Sequence, residues 1–149
     1  MGSGYPTLLG ATEGTNTYKT IVACGKNFFG QPSGKGNSTI LGSLDLNKHT
    51  FKAQLGTNSA TYKFDDVDIV KEYPITTGTT YPLFLFARNN MGTANNKVKQ
   101  KVYSLKIKDN GVLVRDFVPA TMGGRSGLYD KVNHKMYFNA NSSGNFTVE

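Results

Sequence analysis

The 149 residues are enough for one domain, and the single cysteine, Cys24, excludes an intrachain disulfide and a cysteine-rich zinc site. The net charge of +7 would suit a polyanion such as nucleic acid, but the lysines are dispersed along the chain, a pattern that favours solvated strand faces instead. No apolar run is long enough to span a membrane, so membrane insertion is not expected.

The first four residues, MGSG, are typical of an expression-vector remnant, and residues 5–149 are predicted to form a single domain. Apolar and polar residues alternate in many short segments of this domain, as they do in strands with one face in a core. The predicted strands cover residues 19–24, 39–46, 49–55, 61–64, 67–71, 82–88, 98–108, 112–118, 127–130, 135–138 and 145–148. Glycine- and asparagine-rich turns separate them at regular spacing, which predicts an all-β sandwich or barrel.

The segment PLFLFAR, residues 82–88, is apolar on both faces of an extended chain. Leucine and alanine alternate there with phenylalanine, so neither face is suited to water. Such a segment predicts a central strand that is covered on both sides.

A β-hairpin is predicted in YSLKIKDNGVLVRDFVPA, residues 103–120. Tyr103, Leu105 and Ile107 alternate with serine and lysine, which places an apolar face toward a core and a charged face toward solvent. The Asp-Asn-Gly sequence at 109–111 tolerates the positive φ angles of a tight turn, and a β-branched run follows on the return strand. The hairpin is therefore interpreted as scaffold.

Three motifs, in their order and spacing, resemble concanavalin A-like, laminin-G-like jelly-roll domains of the kind found in phage tail (minor structural) proteins and surface proteins of gut bacteria. They are YPLFLFARNN (81–90), KVYSLKIKDNGVLVRDFVPA (101–120) and GLYDKVNHKMYFNANSSGNF (127–146). The resemblance implies a two-sheet antiparallel β-sandwich with jelly-roll topology. It also implies a location in a virion, at a phage tail, or at the bacterial cell surface or outside the cell.

The chain departs from this family at its start, where members usually carry a further strand. One interpretation is that the usual first strand is missing, so that a partner or a second copy covers an open sheet edge. The other is that YPTLLGATEGTNTYK, residues 5–19, takes the role of that strand in altered form.

The segment DVDIVKE, residues 66–72, resembles the catalytic strand of laminarinase-type glycosidases, which belong to related folds. The even spacing of Asp66, Asp68 and Glu72 would place all three carboxylates on one strand face, as retaining hydrolysis requires. The first position carries Asp where those enzymes use Glu, and the resembling modules are not catalytic. The chain is therefore expected not to be an enzyme.

Calcium is the one cofactor considered, because many laminin-G-like domains bind it through carboxylates and carbonyls at the rim of the sandwich. The candidate ligands are Asp65, Asp66, Asp109 and Asp130. None of them stands in a dense ligand motif, and Asp109 also suits the turn chemistry of the predicted hairpin.

Sugar recognition pairs an aromatic surface with amide and charged hydrogen-bonding groups, because a pyranose has an apolar face and a polar edge. Two predicted loops offer such groups, and the candidate contacts are Tyr81, Arg88, Asn89, Asn90, Tyr129, Asn133 and Tyr137. His134 is interpreted as a turn residue, and His49 precedes a predicted strand without a visible partner in the sequence.

These observations favour a non-catalytic binding or adhesion module that recognises a glycan or another cell-surface component. The alternative is a structural module that packs against neighbouring subunits, or against itself, through an open sheet edge. A glycoside hydrolase and a polyanion-binding protein remain as third and fourth hypotheses, the latter predicting a steep loss of affinity with salt.

Overall fold

The structure is a computed structural model that describes residues 6–14, 18–24, 27–31, 39–56, 59–72, 79–139 and 146–148. All regular elements in these residues are β-strands, which confirms the predicted all-β class. No helix in the described part of the chain is long and apolar enough to cross a membrane. The chain divides into two compact units, Met1–Gln100 and Lys101–Glu149, and each is described by itself.

The described residues of the first unit form ten strands in two sheets. The strands are β1 (Thr7–Thr12), β2 (Tyr18–Cys24), β3 (Asn27–Gln31), β4 (Thr39–Ser43), β5 (Phe51–Leu55), β6 (Ser59–Phe64), β7 (Val67–Glu72), β8 (Phe84–Leu85), β9 (Arg88–Asn90) and β10 (Thr93–Asn95). One sheet has the order β10-β9-β1-β2-β3-β4, with β8 also paired to β1, and the other has the order β5-β6-β7. The segment predicted to replace the family's first strand thus contributes β1, paired antiparallel to β2.

The two sheets of the first unit meet through aromatic rings that lie on glycines. An ideal Cβ at Gly30 would fall on the ring of Tyr62, and one at Gly42 on the ring of Phe64. Any side chain at these positions of β3 and β4 would occupy the space of the rings from β6. The buried core around this contact consists of Leu41, Ala60, Tyr62 and Phe64. Two sheet layers in contact are consistent with the predicted β-sandwich.

The second unit contains a sheet of four consecutive strands. They are β11 (Leu105–Asp109), β12 (Val112–Met122), β13 (Arg125–Asp130) and β14 (Lys135–Tyr137), in the order β11-β12-β13-β14. Asn110 and Gly111 have φ angles of 47° and 84°, so the predicted hairpin turn is confirmed. Leu105 and Ile107 are half-buried, whereas Tyr103 lies before the strand and is exposed, so its predicted place in the core is wrong.

The prediction of one central strand over residues 82–88 is wrong. Phe86 has a φ of 61°, an uncommon conformation for a bulky residue, and divides the segment into β8 and β9. The chain reverses there, because β8 pairs antiparallel with β1 and β9 pairs parallel with it. The Phe86 amide donates to the Leu8 carbonyl, which ties the reversal to β1.

Other strand predictions differ at their ends or are missing. The strand predicted from residue 98 begins only at Leu105, and residues 146–148 are not a strand. The predicted strands did not include β3 and β10, and β1 was present only in the alternative that gave residues 5–19 the role of the family's first strand. The β10 strand lies in a segment predicted to be a turn, because its asparagines and glycine obscured any alternation of apolar and polar residues.

Candidate functional site

A shallow depression of about 220 Å³ lies on the β5–β6 hairpin, at the end opposite its connecting loop. Its lining consists of Thr50, Phe51, Lys52, Lys63, Asp65 and Asp66. The hairpin forms because inward positions on both strands are apolar or aromatic, while the outward positions are polar. The polar outward positions near this end supply much of the depression's wall.

Two lysines stand side by side in this wall. Lys52 and Lys63 are cross-strand partners, so their side chains leave the sheet on the same face. Asp68 of β7 is the next residue in that row, opposite Lys63. Like charges directly opposite each other are unfavourable in a sheet, and a ligand that accepts hydrogen bonds from both ammonium groups would offset this repulsion.

His49 is held between two carboxylates at the edge of the depression. Its Nε2 lies 2.8 Å from Oδ1 of Asp45, and its Nδ1 lies 2.9 Å from Oδ2 of Asp65. The ring also stacks on Phe64 with a centroid distance of 4.8 Å. We call these three residues, Asp45, His49 and Asp65, the histidine clamp.

Asp65 reaches the histidine clamp because of its place in the β6–β7 turn. It has a φ of 51°, a conformation that Asp tolerates better than most residues. Its amide donates to the Thr50 carbonyl at 2.9 Å, and the Thr50 amide donates to Oδ1 of Asp65 at the same distance. Thr50 and Asp65 thus form one rigid side of the depression.

The histidine clamp shifts the pKa values of all three groups toward their charged forms. The hydrogen bonds to Asp65 and then to Asp45 raise the pKa of His49 above its usual range. The bonds from His49 and from the Thr50 amide lower the pKa of Asp65, and the bonds from the Asn47 amide and His49 lower that of Asp45. Both ring nitrogens of His49 face carboxylate oxygens, so neither is available as a general base.

The geometry gives the hydrolase hypothesis little support among the described residues. Asp66 lies in the β6–β7 turn and Asp68 on β7, and both are exposed. Because Asp66 lies outside β7, it does not share a strand face with Asp68 as that hypothesis requires. The side chain of Glu72 lies outside the described residues.

The first group of predicted sugar contacts surrounds the end of β1. Asn89 is buried, and its amide is used inside the fold, donating to the Pro82 carbonyl and accepting from the Gly92 amide. Arg88 and Asn90 are half-buried on β9, and Tyr81 is exposed. Of this group, Tyr81 is the side chain that offers most of its surface to a ligand.

The second group does not form one surface. Tyr137 is the cross-strand partner of Leu128, the neighbour of Tyr129, so the two tyrosines leave the sheet on opposite faces. The Tyr129 hydroxyl lies 3.2 Å from Nδ1 of His134. The Asn133 amide donates to Oδ2 of Asp130 at 2.7 Å and is used inside the fold.

The described residues contain no group of three or more histidine, cysteine or acidic side chains arranged to hold a metal ion. Asp65 belongs to the histidine clamp, and Asp66 lies beside it in the turn. Asp109 ends β11 at the hairpin turn. Asp130 is buried and accepts from the backbone amides of Asp116 and Val132, so each predicted calcium ligand has another structural setting.

Sequence reasoning missed the histidine clamp, and its statement that His49 has no partner is wrong. One signal was available, since Asp45 and His49 are four residues apart in a polar segment. The other partner depends on the hairpin register, in which Phe51 pairs with Phe64 and brings residue 50 opposite residue 65. The alternation in FKAQL and SATYKF could have given that register.

Comparison of the chain with protein-family models, with curated proteins and with solved structures finds no match.

Proposed function

We propose that this chain is a non-catalytic binding module that recognises a glycan or another cell-surface component through the depression on the β5–β6 hairpin. The observation that carries the proposal is the lining of the open depression of about 220 Å³, which includes residues with hydroxyl, ammonium and carboxylate groups beside the apolar ring of Phe51. Sugar hydroxyls both donate and accept hydrogen bonds, and this lining supplies partners for both roles.

The rigidity of one wall supports the proposal. Asp65 and Thr50 are linked by two backbone-directed hydrogen bonds, and Asp65 is held in addition by His49. A wall that is ordered before binding spares the ligand the entropy cost of ordering it. Lys52 and Lys63, a cross-strand pair in the same lining, have long side chains with many rotamers that can adapt to ligands of different shape.

The resemblance to jelly-roll domains of phage tail and bacterial surface proteins supports the same function. In this proposal the two-layered first unit belongs to a jelly-roll sandwich, and the module is displayed on a virion or a cell surface. Tyr81, exposed in the segment before β8, stands as a second candidate contact.

The test is a glycan-array screen of the protein, run with calcium and again with chelator. Lys63→Gln removes one ammonium group from the depression, and Lys108→Gln, on the exposed face of β11, is the matched control. We expect selective binding that Lys63→Gln weakens and Lys108→Gln leaves unchanged. Tyr81→Ala and Tyr129→Ala would show whether the aromatic contacts predicted from the sequence take part.

A second function, packing against neighbouring subunits, is favoured by one observation. Strand β7 forms one end of the three-stranded sheet and carries two exposed valines, Val67 and Val70, with 63% and 68% of their surface accessible. Exposed apolar residues on a terminal strand are a common site of strand association. Absence of glycan binding in every condition, together with sedimentation that depends on concentration, would replace the first proposal with this one.

A further inference from the structure

The histidine clamp connects two segments that are separate in the sequence. Asp45 and His49 lie in the segment between β4 and β5, and Asp65 lies in the turn between β6 and β7. Through Asp65, the clamp reaches the wall of the depression. The protonation state of the His49 ring therefore affects the position of Asp65 in the wall of the depression.

We propose that His49 is a proton-dependent positioning residue, which bridges Asp45 and Asp65 only while its ring carries a proton on both nitrogens. The consequence for ligand binding rests on the proposed function of the depression. The behaviour of the clamp itself does not, because it follows from the contacts of His49 alone.

The reason that both nitrogens must carry a proton lies in the hydrogen-bond partners of the ring. A carboxylate oxygen can only accept, and each ring nitrogen of His49 faces such an oxygen at less than 3 Å. Only the imidazolium donates from both nitrogens. A neutral ring would place a lone pair against one of the two carboxylates, and that contact would change from a charge-assisted hydrogen bond to a repulsion.

The surroundings of the ring also favour the charged form. The charged groups that contact it are Asp45 and Asp65. The strands packed against it, β6 and β3, present the uncharged rings of Phe64 and Phe28, at centroid distances of 4.8 and 5.8 Å. An aromatic face close to a cation contributes a further attraction.

The direction of each pKa shift sets the pH range in which the clamp is intact. The pKa of His49 is raised, so its contribution is fully present below the unfolded value of about 6.5 and is lost as pH rises through the folded value. The pKa values of Asp45 and Asp65 are lowered, so their contribution is present above about 3.9 and is lost as pH falls through the folded values. The clamp is therefore strongest at mildly acidic pH.

The first experiment follows the imidazole resonances by NMR as a function of pH. The chain has only two histidines, so His134→Gln identifies the His49 signal directly. We expect His49 to titrate at a higher pH in the folded protein than in urea, and Asp45→Asn to lower its midpoint. A folded midpoint at or below the urea value would overturn the proposal.

The second experiment compares the thermal stability of His49→Gln and His134→Gln with that of the wild type between pH 4.5 and about 9, a range that spans the titration of histidine. We expect His49→Gln to lower Tm most at mildly acidic pH and progressively less as the pH rises, and His134→Gln to show no such trend. If His49→Gln does not fold, the exposed Asp45→Asn serves instead, since it weakens one contact and leaves the other. A Tm difference that is independent of pH would contradict the proton-dependent role.

Binding of the glycan found by the array then separates the two proposals. Wild-type affinity should fall as the pH rises through the His49 titration, and the affinity of His49→Gln should be low and nearly independent of pH. If His49 titrates as expected but the protein binds no glycan, the proposed function is contradicted and the role of His49 is not. If the protein binds a glycan but the titration midpoint of His49 is no higher than in urea, the proposed role of His49 is contradicted and the proposed function is not.

Discussion

Each unit contains a buried contact that limits substitution, and the two contacts differ in their chemistry. In the first unit, the rings of Tyr62 and Phe64 lie on Gly30 and Gly42, and the contact depends on the absence of any side chain beneath the rings. In the second unit, the carboxylate of Asp130 is fully buried. The comparison teaches that space limits substitution at Gly30 and Gly42, whereas hydrogen-bond donors and acceptors limit it at Asp130.

The Asp130 carboxylate is satisfied from several directions. Its Oδ1 accepts from the amides of Asp116 and Val132, each at 3.0 Å, and its Oδ2 accepts from Asn133 and lies 3.6 Å from Nε of Arg115. Burial opposes ionisation of this group, but these donors outweigh it and lower the pKa of Asp130. One side chain thereby joins β12, the turn after β13 and the end of β13.

We expect the largest effect from Asp130→Ala, which leaves the Asp116 and Val132 amides without their acceptor and removes the ion-pair partner of Arg115. At pH 7 this variant should lose more stability in urea denaturation than any other substitution considered below. Because the pKa of Asp130 is lowered, the wild-type advantage is present above about 3.9 and should shrink as the pH falls through the folded value.

The matched control for that experiment is Asp109→Ala, at the exposed end of β11. It should lower stability much less. Equal losses in the two variants would show that the buried carboxylate is not what distinguishes the second unit.

The next largest effect is expected from Gly30→Ala and Gly42→Ala. The new methyl group would overlap a ring carbon, of Tyr62 and Phe64 respectively, so each variant should lose about 1–3 kcal/mol through overpacking. The free energy of unfolding from urea titration measures this loss directly.

A double variant sharpens the argument. Tyr62→Leu removes the ring that the new methyl group at position 30 would strike, so Gly30→Ala should cost less in that background than alone. If the losses in unfolding free energy of the two single variants add up in the double variant, the Tyr62 ring is not what the new methyl group strikes. Lack of space at Gly30 would then not explain the cost of Gly30→Ala.

The smallest effect is expected at the β11–β12 turn, where conformation rather than burial is the constraint. Gly111 has a φ of 84°, and its Cβ would meet open space, so Gly111→Ala should lose about 1 kcal/mol from backbone strain alone. Asn110→Gly, at a φ of 47°, should be neutral or slightly stabilising when its Tm is compared with that of the wild type. A Gly111→Ala variant as stable as the wild type would show that the turn relaxes.

Sequence reasoning succeeded where pairing is local. The β11–β12 hairpin carries its own turn signal at 109–111, and the pattern in residues 49–64 carries the alternation that defines β5 and β6. It failed where residues distant in sequence decide the structure. Nothing near Phe86 shows that the chain reverses there, because the reversal depends on pairing with β1.

The candidate site was predictable only in part. Asp65 and Asp66 were recognised as functional candidates from their carboxylates, but for calcium rather than for a wall of the depression. Lys52 and Lys63 resemble any solvated lysines until the register places them opposite each other. His49 contacts Asp65 because of the β5–β6 register and contacts Asp45 because of the conformation of the segment before β5. No single stretch of the sequence contains both contacts.

The pairing of β1 with β9 has a consequence for how the protein is made. Gly10 lies beside Arg88, whereas β2, on the other edge of β1, follows almost at once in the sequence. During synthesis from the amino terminus, β1 and β2 can pair early, but the parallel edge of β1 waits until the β9 segment has left the ribosome. In that interval β1 presents an unpaired edge, so folding of the nascent chain is most exposed to wrong strand pairing before residue 90 emerges.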